Sequence, residues 1–368
     1  MRKIQEADIQ GKKILMRVDF NVALENQDAK EKYKIFSSKE TIDYILSQKG
    51  AKLALVGHLG RPTALKNCLI SGETLSHRTA EQIDPQFSLK QLADDAERIL
   101  GIKVRFVPDC VGERVKESVE NQKPGEVLLL ENVRFYCNDE KNDSKFSEML
   151  AENFDIFIND AFSVCHRNQA SVTGVAKILP SYAGFWLQKE IENLYKIKNN
   201  PEHPAVAIIG GAKIETKVPL INNFEKTYDY ILVGGKIANE VSDQNLKFGE
   251  KVILPVDFSG DRLDIGPKTI EKFKNILSGA KTIVWNGPMG KFEEEKYAQG
   301  TKEILKTVIE TSDVSIGNNA FALMGGGETV QLLEETNALD KISFVSTGGG
   351  AMLEYLSGNP MPGIEALK

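Results

Sequence analysis

The chain has 368 residues, 41% hydrophobic and 27% charged, with a formal net charge of −6. That length exceeds what a single hydrophobic core usually fills, so two domains are expected. The ordinary soluble composition and mild negative charge give no basis for a nucleic-acid or anionic-membrane surface, and any anion site must come from local clustering.

In chain order, short apolar runs recur: "KILMRVDFN", "KLALVGHLGRP", "VRFVPDC", "VLLLENVRF" and "FDIFINDAFSVCHR", then "AVAIIGGAK", "YILVGGK", "TIVWNGPMG", "FALMGGGE" and "ISFVSTGGG". Segments of helical period such as "SLKQLADDAERILG" and "TKEILKTVIETS" lie between them. Strands apolar on both faces that alternate with helices predict an α/β fold of doubly wound, Rossmann-like parallel sheets, and about ten strands predict two such sheets. The stretch 179–204, rich in helix formers and ending in Asn199, Asn200, Pro201 and Pro204, is expected to connect the two halves. No short-period repeat suggests a solenoid. The N-terminus lacks the apolar run of a signal peptide, and no window approaches about 18 consecutive apolar residues. Cys68, Cys110, Cys137 and Cys165 are widely spaced, without C-x-x-C or a paired histidine. This argues against a zinc site or a disulfide framework, and for a reducing, cytoplasmic setting.

Ligands of open α/β sheets sit beyond the carboxyl ends of the strands, and the two halves differ there. First-half loops carry side chains: Asp19 and Asn21, His58 and Arg61, Arg134, then Asp160, His166 and Arg167. Guanidinium forks match phosphate and carboxylate oxygens bidentately, so three arginines at strand ends point to a small, highly anionic ligand, although any one of them alone fits a surface ion pair better. Second-half loops carry glycine instead: Gly210–Gly211, Gly234–Gly235, Gly287, Gly325–Gly327 and Gly348–Gly350. Such turns let a phosphate reach backbone N–H groups at a helix N-terminus, and five of them point to a polyphosphate; each alone also serves a tight strand-to-helix turn. Lys213 and Lys217, four apart, are expected on one face of the following helix, where they would meet consecutive phosphates. Glu328 would repel a bound polyphosphate unless a divalent cation lies between, and magnesium is held in that way.

An anionic acceptor site on one half and a magnesium-nucleotide site on the other define a phosphotransferase whose halves close to exclude water. Phosphoryl transfer is served mainly by positioning and charge neutralisation, so no nucleophile or general base is required. The chain has no P-loop, dinucleotide or G-x-S-x-G motif, which argues against a dehydrogenase or a serine hydrolase.

The blocks "RVDFNVAL", "GHLGRP", "LLLENVRF", "INDAFSVCHR", "AGFWLQKEI", "IIGGAKIETKVPLI", "LPVDF", "DIGPKT", "VWNGPMGKFE", "GGGETV" and "STGGGAMLEYLSG" resemble the phosphoglycerate kinase family along essentially the whole chain. The resemblance implies reversible phosphoryl transfer between 1,3-bisphosphoglycerate and Mg-ADP, giving 3-phosphoglycerate and ATP, by a monomeric, cytoplasmic hinge-bending enzyme. It implies a phosphoglycerate-binding domain at 1–182 joined by 352–368, an interdomain helix at 183–198 and a nucleotide domain at 199–351. On the acceptor side it implies that Asp19, Phe20 and Asn21 hold the glycerate, and that His58, Leu59, Gly60, Arg61, Arg134 and Arg167 hold its non-transferring phosphate. Lys34 would stand near the transferring phosphoryl. On the nucleotide side it implies Gly211, Lys213, Lys217, Gly235, Asn286, Pro288, Glu293 at the ribose, Gly326, Gly327 and Thr329. Glu328 would hold magnesium, and Gly348, Gly349 and Gly350 would face the phosphoryl in flight.

Several positions depart from the family. Lys34 stands where an arginine is usual, losing the bidentate fork; Gln169 replaces a histidine, and Glu328 an aspartate. Lys236 replaces an apolar residue, and the chain is shortened between "VGGKIANEV" and "DIGPKT". These departures leave a degenerate relative that binds without efficient transfer as the alternative function. Cys137 and Cys165 fall near the acceptor residues, where buried, inert cysteines are the plainer expectation and thiol sensitivity the alternative.

Overall fold

In a computed structural model describing residues 1–25, 28–29, 31–62, 84–313, 315 and 319–368, the apolar runs become two parallel six-stranded sheets. The first contains β1 (Lys13–Arg17), β2 (Lys52–Val56), β3 (Lys103–Val107), β4 (Glu126–Leu130), β5 (Ile156–Asn159) and β6 (Ser181–Ala183) in the order β3-β4-β2-β1-β5-β6. The second contains β7 (Ala205–Ile209), β8 (Tyr230–Val233), β9 (Val252–Ile253), β10 (Thr282–Asn286), β11 (Phe321–Gly325) and β12 (Phe344–Ser346) in the order β9-β8-β7-β10-β11-β12. The edge strands β6 and β9 were not among the expected runs, being only 3 and 2 residues long.

Alternation explains why the runs are apolar throughout. Ile14 and Met16 of β1 pack with Leu53 and Leu55 of β2 on one face, while Leu15 packs with Ala54 and Val56 on the other. Both faces are covered, as a parallel sheet requires. The expected helix after 88 begins as a tight turn over Leu89–Leu92 and continues as Ala93–Leu100, where Gly101, at φ 70°, stops it in the left-handed conformation.

The chain divides into one unit of Met1–Glu190 with Pro360–Lys368 and another of Ile191–Asn359, the division falling inside the continuous helix Phe185–Asn199. The return to the first unit thus starts at Pro360 rather than at 352, because helix Gly349–Ser357 packs on helix Ile214–Phe224 of the second unit. The returning segment is held by Arg2 N donating to Leu367 O at 2.7 Å and Gly363 N donating to Cys165 O at 2.9 Å.

Candidate active site

In the first unit the strand order reverses at β1, and the loops following β1, β2 and β4 are tied together there. Val133 N donates to Gly57 O at 3.2 Å, and Asn132 Nδ2 donates to the Leu59 and Phe87 carbonyls, each at 2.8 Å. Arg134 Nη1 donates to Gly60 O at 2.6 Å. From the other side Gly60 N donates to Asn21 Oδ1 at 2.8 Å, and Asn21 N to Asp19 Oδ1 at 3.3 Å. Gly60 sits at φ 61°, and a Cβ there would meet the Phe87 ring at 2.6 Å, so the turn requires glycine.

Around this frame stand the basic groups. Arg17, the last residue of β1, is buried and was not singled out by the sequence reading. Its Nη1 donates to Val18 O at 2.6 Å and its Nε to Ser171 Oγ at 3.3 Å, while Nη2 lies 3.0 Å from His58 Nδ1. A guanidinium only donates, so His58 Nδ1 accepts and the imidazole proton resides on Nε2, where it is available to an anion. Burial holds His58 well below the ordinary histidine range, reinforced by the charges of Arg17, Arg134, Arg167 and Lys34, so the ring is neutral. Arg134 is buried, with Nε and Nη2 lacking hydrogen-bond partners among the described residues; Glu140, 3.8 Å from Nε, is too distant to bond. Burial, then Arg167 and Arg17, lower its pKa to about 10. Buried Asp139, also absent from the sequence reading, is the foremost charge supporting the Arg17 cation. Unpaired buried donors in a positive field favour an anionic ligand.

The other expected residues fall variously. Lys34 lies 2.7 Å from Glu31 Oε1 and donates to Asn21 O at 3.1 Å. Partly buried Arg167 donates through Nε to His166 Nε2 at 3.3 Å, and Arg61 is exposed. Phe20 and Leu59 are buried in the core, so only their backbone faces the loops. Asp160 caps the start of helix Phe185–Asn199, accepting from Leu187 N at 3.0 Å, and burial lifts its carboxyl to about 7.

In the second unit, order reverses between β7 and β10, and the glycine turns interlock there. Gly210 N donates to Asn286 O, and Gly211 N to Pro288 O, each at 3.0 Å; Gly235 N donates to Met289 O at 2.8 Å. A Cβ on Gly210 would lie 2.1 Å from Pro288 O, one on Gly287 2.4 Å from Gly210 O, and one on Gly235 2.8 Å from Gly211 N. These three glycines are demanded by crossing backbones, so the expectation that they exist for phosphate is narrowed. A Cβ on Gly349 would lie 2.6 Å from Gly326 Cα, whereas one on Gly350 would meet nothing within 4 Å. Gly348 is buried, and Gly327 and Gly350 are exposed at the starts of helices Gly327–Glu335 and Gly349–Ser357. Thr329 is buried and accepts from Gly287 N at 3.1 Å, supporting the turn.

The two helix lysines do not share a helical face. Helix Ile214–Phe224 starts after Lys213, whose cap conformation (φ −109°, ψ 91°) is extended, so the four-residue periodicity does not apply to it. Lys213 is exposed, while Lys217 is 4% exposed and its Nζ donates to Asn286 Oδ1. Burial lowers the Lys217 pKa to about 8. Asn286 Nδ2 is buried without a partner among the described residues. Glu328 is exposed beside a cavity of about 230 Å³, whose wall also includes Gly211, Gly235, Pro288 and Glu293. Partial desolvation and then Glu293 raise its carboxyl, against the pull of Lys217 and Lys213. Among the described residues no three His, Cys, Asp or Glu cluster as a metal cage. One carboxylate with a second nearby instead fits magnesium carried in on phosphates.

Cys110 and Cys165 are free and buried, and burial pushes the Cys165 thiol up to about 12, so it is inert. Cys137 is partly buried. Cys68 lies outside the described residues.

The phosphoglycerate kinase family model matches residues 4–254 and 249–359. The phosphoglycerate kinase of Thermosipho africanus is 37% identical, the match covering 99% of this chain and 97% of that protein. The cytosolic phosphoglycerate kinase of Triticum aestivum is also 37% identical, over 98% of this chain and 96% of its own. The crystal structure of phosphoglycerate kinase from Pyrococcus horikoshii OT3 has a TM-score of 0.83 at 27% identity, covering 100% of this chain and 98% of that one. For phosphoglycerate kinase from Coxiella burnetii the TM-score is 0.75 at 29% identity, with 99% and 98% covered. The Thermosipho alignment spans 411 residues against 368 here, so this chain is shortened internally. Family model, relatives and fold agree over nearly the whole length: the chain belongs to the phosphoglycerate kinase family.

Proposed function

We propose that this kinase reversibly transfers the acyl phosphate of 1,3-bisphosphoglycerate to Mg-ADP, giving 3-phosphoglycerate and ATP. The observation that carries the proposal is a pair of buried donor sets at strand ends without hydrogen-bond partners among the described residues: Arg134 Nε and Nη2 in the first unit, and Asn286 Nδ2 beside Lys217 in the second. Buried donors without partners cost stability unless a ligand accepts from them.

On the acceptor side, Arg134 offers a fork to the non-transferring phosphate and His58 offers its Nε2 proton. Arg61 and Arg167 add charge, and Asp19 and Asn21 orient the glycerate. On the nucleotide side, Lys217 and Asn286 meet the phosphate chain, Lys213 adds charge at the helix start, and the N–H groups of Gly349 and Gly350 face the phosphoryl in flight. Magnesium, when bound, neutralises phosphate charge, and Glu328 would hold it. Lys34 keeps a positive charge near the acceptor without a fork. No residue need act as nucleophile or general base. Hinge bending about the helix spanning 183–198, which would exclude water during transfer, belongs to the same proposal, as do a monomeric state and a cytoplasmic site of action. No described helix is long and apolar enough to cross a membrane, and the wheat relative is named cytosolic.

A coupled assay with 3-phosphoglycerate, ATP and magnesium tests this, run on wild type and Lys34→Arg. Turnover is expected in both. No turnover in either, with both ligands still bound by calorimetry, would leave only the binding protein.

A further inference from the structure

The cavity in the second unit has one wall that phosphate binding leaves without a role. Beside Leu263 and Pro288 it presents polar groups, Asn239 and Arg262 among them. Arg262 is held there as a fixed plate. Its Nε donates to Asn239 Oδ1 at 3.1 Å, its Nη2 to Asn239 O at 3.1 Å and its Nη1 to Asp243 Oδ1 at 2.8 Å. Asn239 Nδ2 returns a bond to Arg262 O at 2.9 Å. Guanidinium N–H bonds lie in the plane of the group, so these contacts occupy its edge and leave its two faces. Phe258 backs it, with the ring centroid 5.5 Å from Cζ, and Phe258 is not part of the cavity wall.

Two further observations mark the same turn. Asp261 and Arg262 stand at φ 54° and 67°, successive non-glycine residues in the left-handed region, an arrangement that costs energy and persists where surrounding contacts impose it. Leu263 leaves 38% of its surface exposed at the same cavity, apolar area that a flat ligand would cover.

We propose that Arg262 is the base-recognition residue of the nucleotide site, its cavity-side face stacking on the nucleobase while Phe258 supports the opposite face. This rests on the nucleotide reading of the second unit. A planar, weakly hydrated cation stacks on any π-face, so the site accepts purines with little discrimination, and GDP binds within a few-fold of ADP. Lysine at this position keeps the charge and loses the plane.

The test is calorimetry on the full chain with Mg-ATP, Mg-GTP and magnesium tripolyphosphate, the last carrying phosphates without a base. Wild type is expected to bind both nucleotides more tightly than tripolyphosphate. Arg262→Ala and Arg262→Lys are each expected to weaken nucleotide binding about tenfold and leave tripolyphosphate within twofold. Equal weakening of nucleotide and tripolyphosphate would assign Arg262 to charge or to folding and overturn the proposal, as would full nucleotide affinity in Arg262→Lys. Should Arg262→Ala not fold, Arg262→Lys decides alone. Wild type that binds tripolyphosphate no less tightly than ATP would overturn base recognition and leave the phosphate site standing. Wild type that binds neither would remove the nucleotide reading and this proposal with it.

Discussion

At the ends of β1, β2 and β4, the proposed capacity for anions resides in side chains: buried Arg134, whose Nε and Nη2 have no hydrogen-bond partner among the described residues, neutral His58, and Arg17 fixing its tautomer. At the ends of β7, β10 and β11 it resides mostly in the main chain, at turns stripped of side chains, with Lys217 and Asn286 beneath them. The first arrangement stores unfavourable desolvation and repulsion in the free protein, since burial, and then Arg167 and Arg17, lower the Arg134 pKa. In the second, many N–H groups are already bonded to neighbouring turns, and the cost is confined to buried Lys217 and to Asn286 Nδ2, which has no hydrogen-bond partner among the described residues. In the proposed reading a small, compact anion would be met by charge that it relieves, and a long polyphosphate by a shaped backbone.

The sharpest way to break that comparison is Arg134→Ala. We expect kcat/KM for 3-phosphoglycerate to fall by about two to three orders of magnitude, since charge-assisted bonds are worth roughly 1.5–3 kcal/mol each. Nucleotide affinity and Tm should hold, because repulsion is relieved as packing is lost; a Tm several degrees lower would mean that the basic cluster is not a source of strain. Next are the glycines: Gly210→Ala should destabilise the fold by roughly 1–3 kcal/mol through overpacking, whereas Gly350→Ala should leave stability nearly unchanged. Chemical denaturation separates the two, and equal costs would show that crossing backbones do not explain Gly210.

pH sharpens the second region. With a pKa of about 8, Lys217 loses its charge as pH rises through that value, so Mg-nucleotide affinity of the free enzyme should fall by up to about tenfold per pH unit above it. Stability moves the other way. Between about 8 and the ordinary 10.5 the unfolded chain binds the proton that the native chain has released, so wild type should gain stability relative to Lys217→Met as pH climbs. Titrations at several pH values check the sign.

Glu328→Gln should raise KM for Mg-nucleotide about tenfold and leave 3-phosphoglycerate binding within twofold, losing a carboxylate that magnesium would use. Comparable losses of both would make Glu328 structural. The smallest effect is expected from Lys34→Arg, a rise of a few-fold in kcat as a fork replaces a point charge; steady-state rates decide it, and a fall would show that the pairing with Glu31 matters more.

The doubly wound fold was legible because a parallel strand buried on both faces must be written in apolar residues, and β1, β2, β4, β7 and β10 are. The positions of the arginines and glycines at strand ends were legible too, though not what each glycine is for. Tertiary structure alone decided the rest. Arg17 is a lone charge inside an apolar run, and its meaning lies in His58, 41 residues away. Whether helix Ile214–Phe224 starts before or after Lys213 separates two lysines that spacing alone would pair. Glycine reads alike whether it makes room for a phosphate or for another backbone, and only the crossing of Gly210 with Gly287 and Pro288 tells which. A sequence records what each residue offers, while burial, partners and clearance are properties of pairs distant along the chain, and they exist only once the sheets have formed.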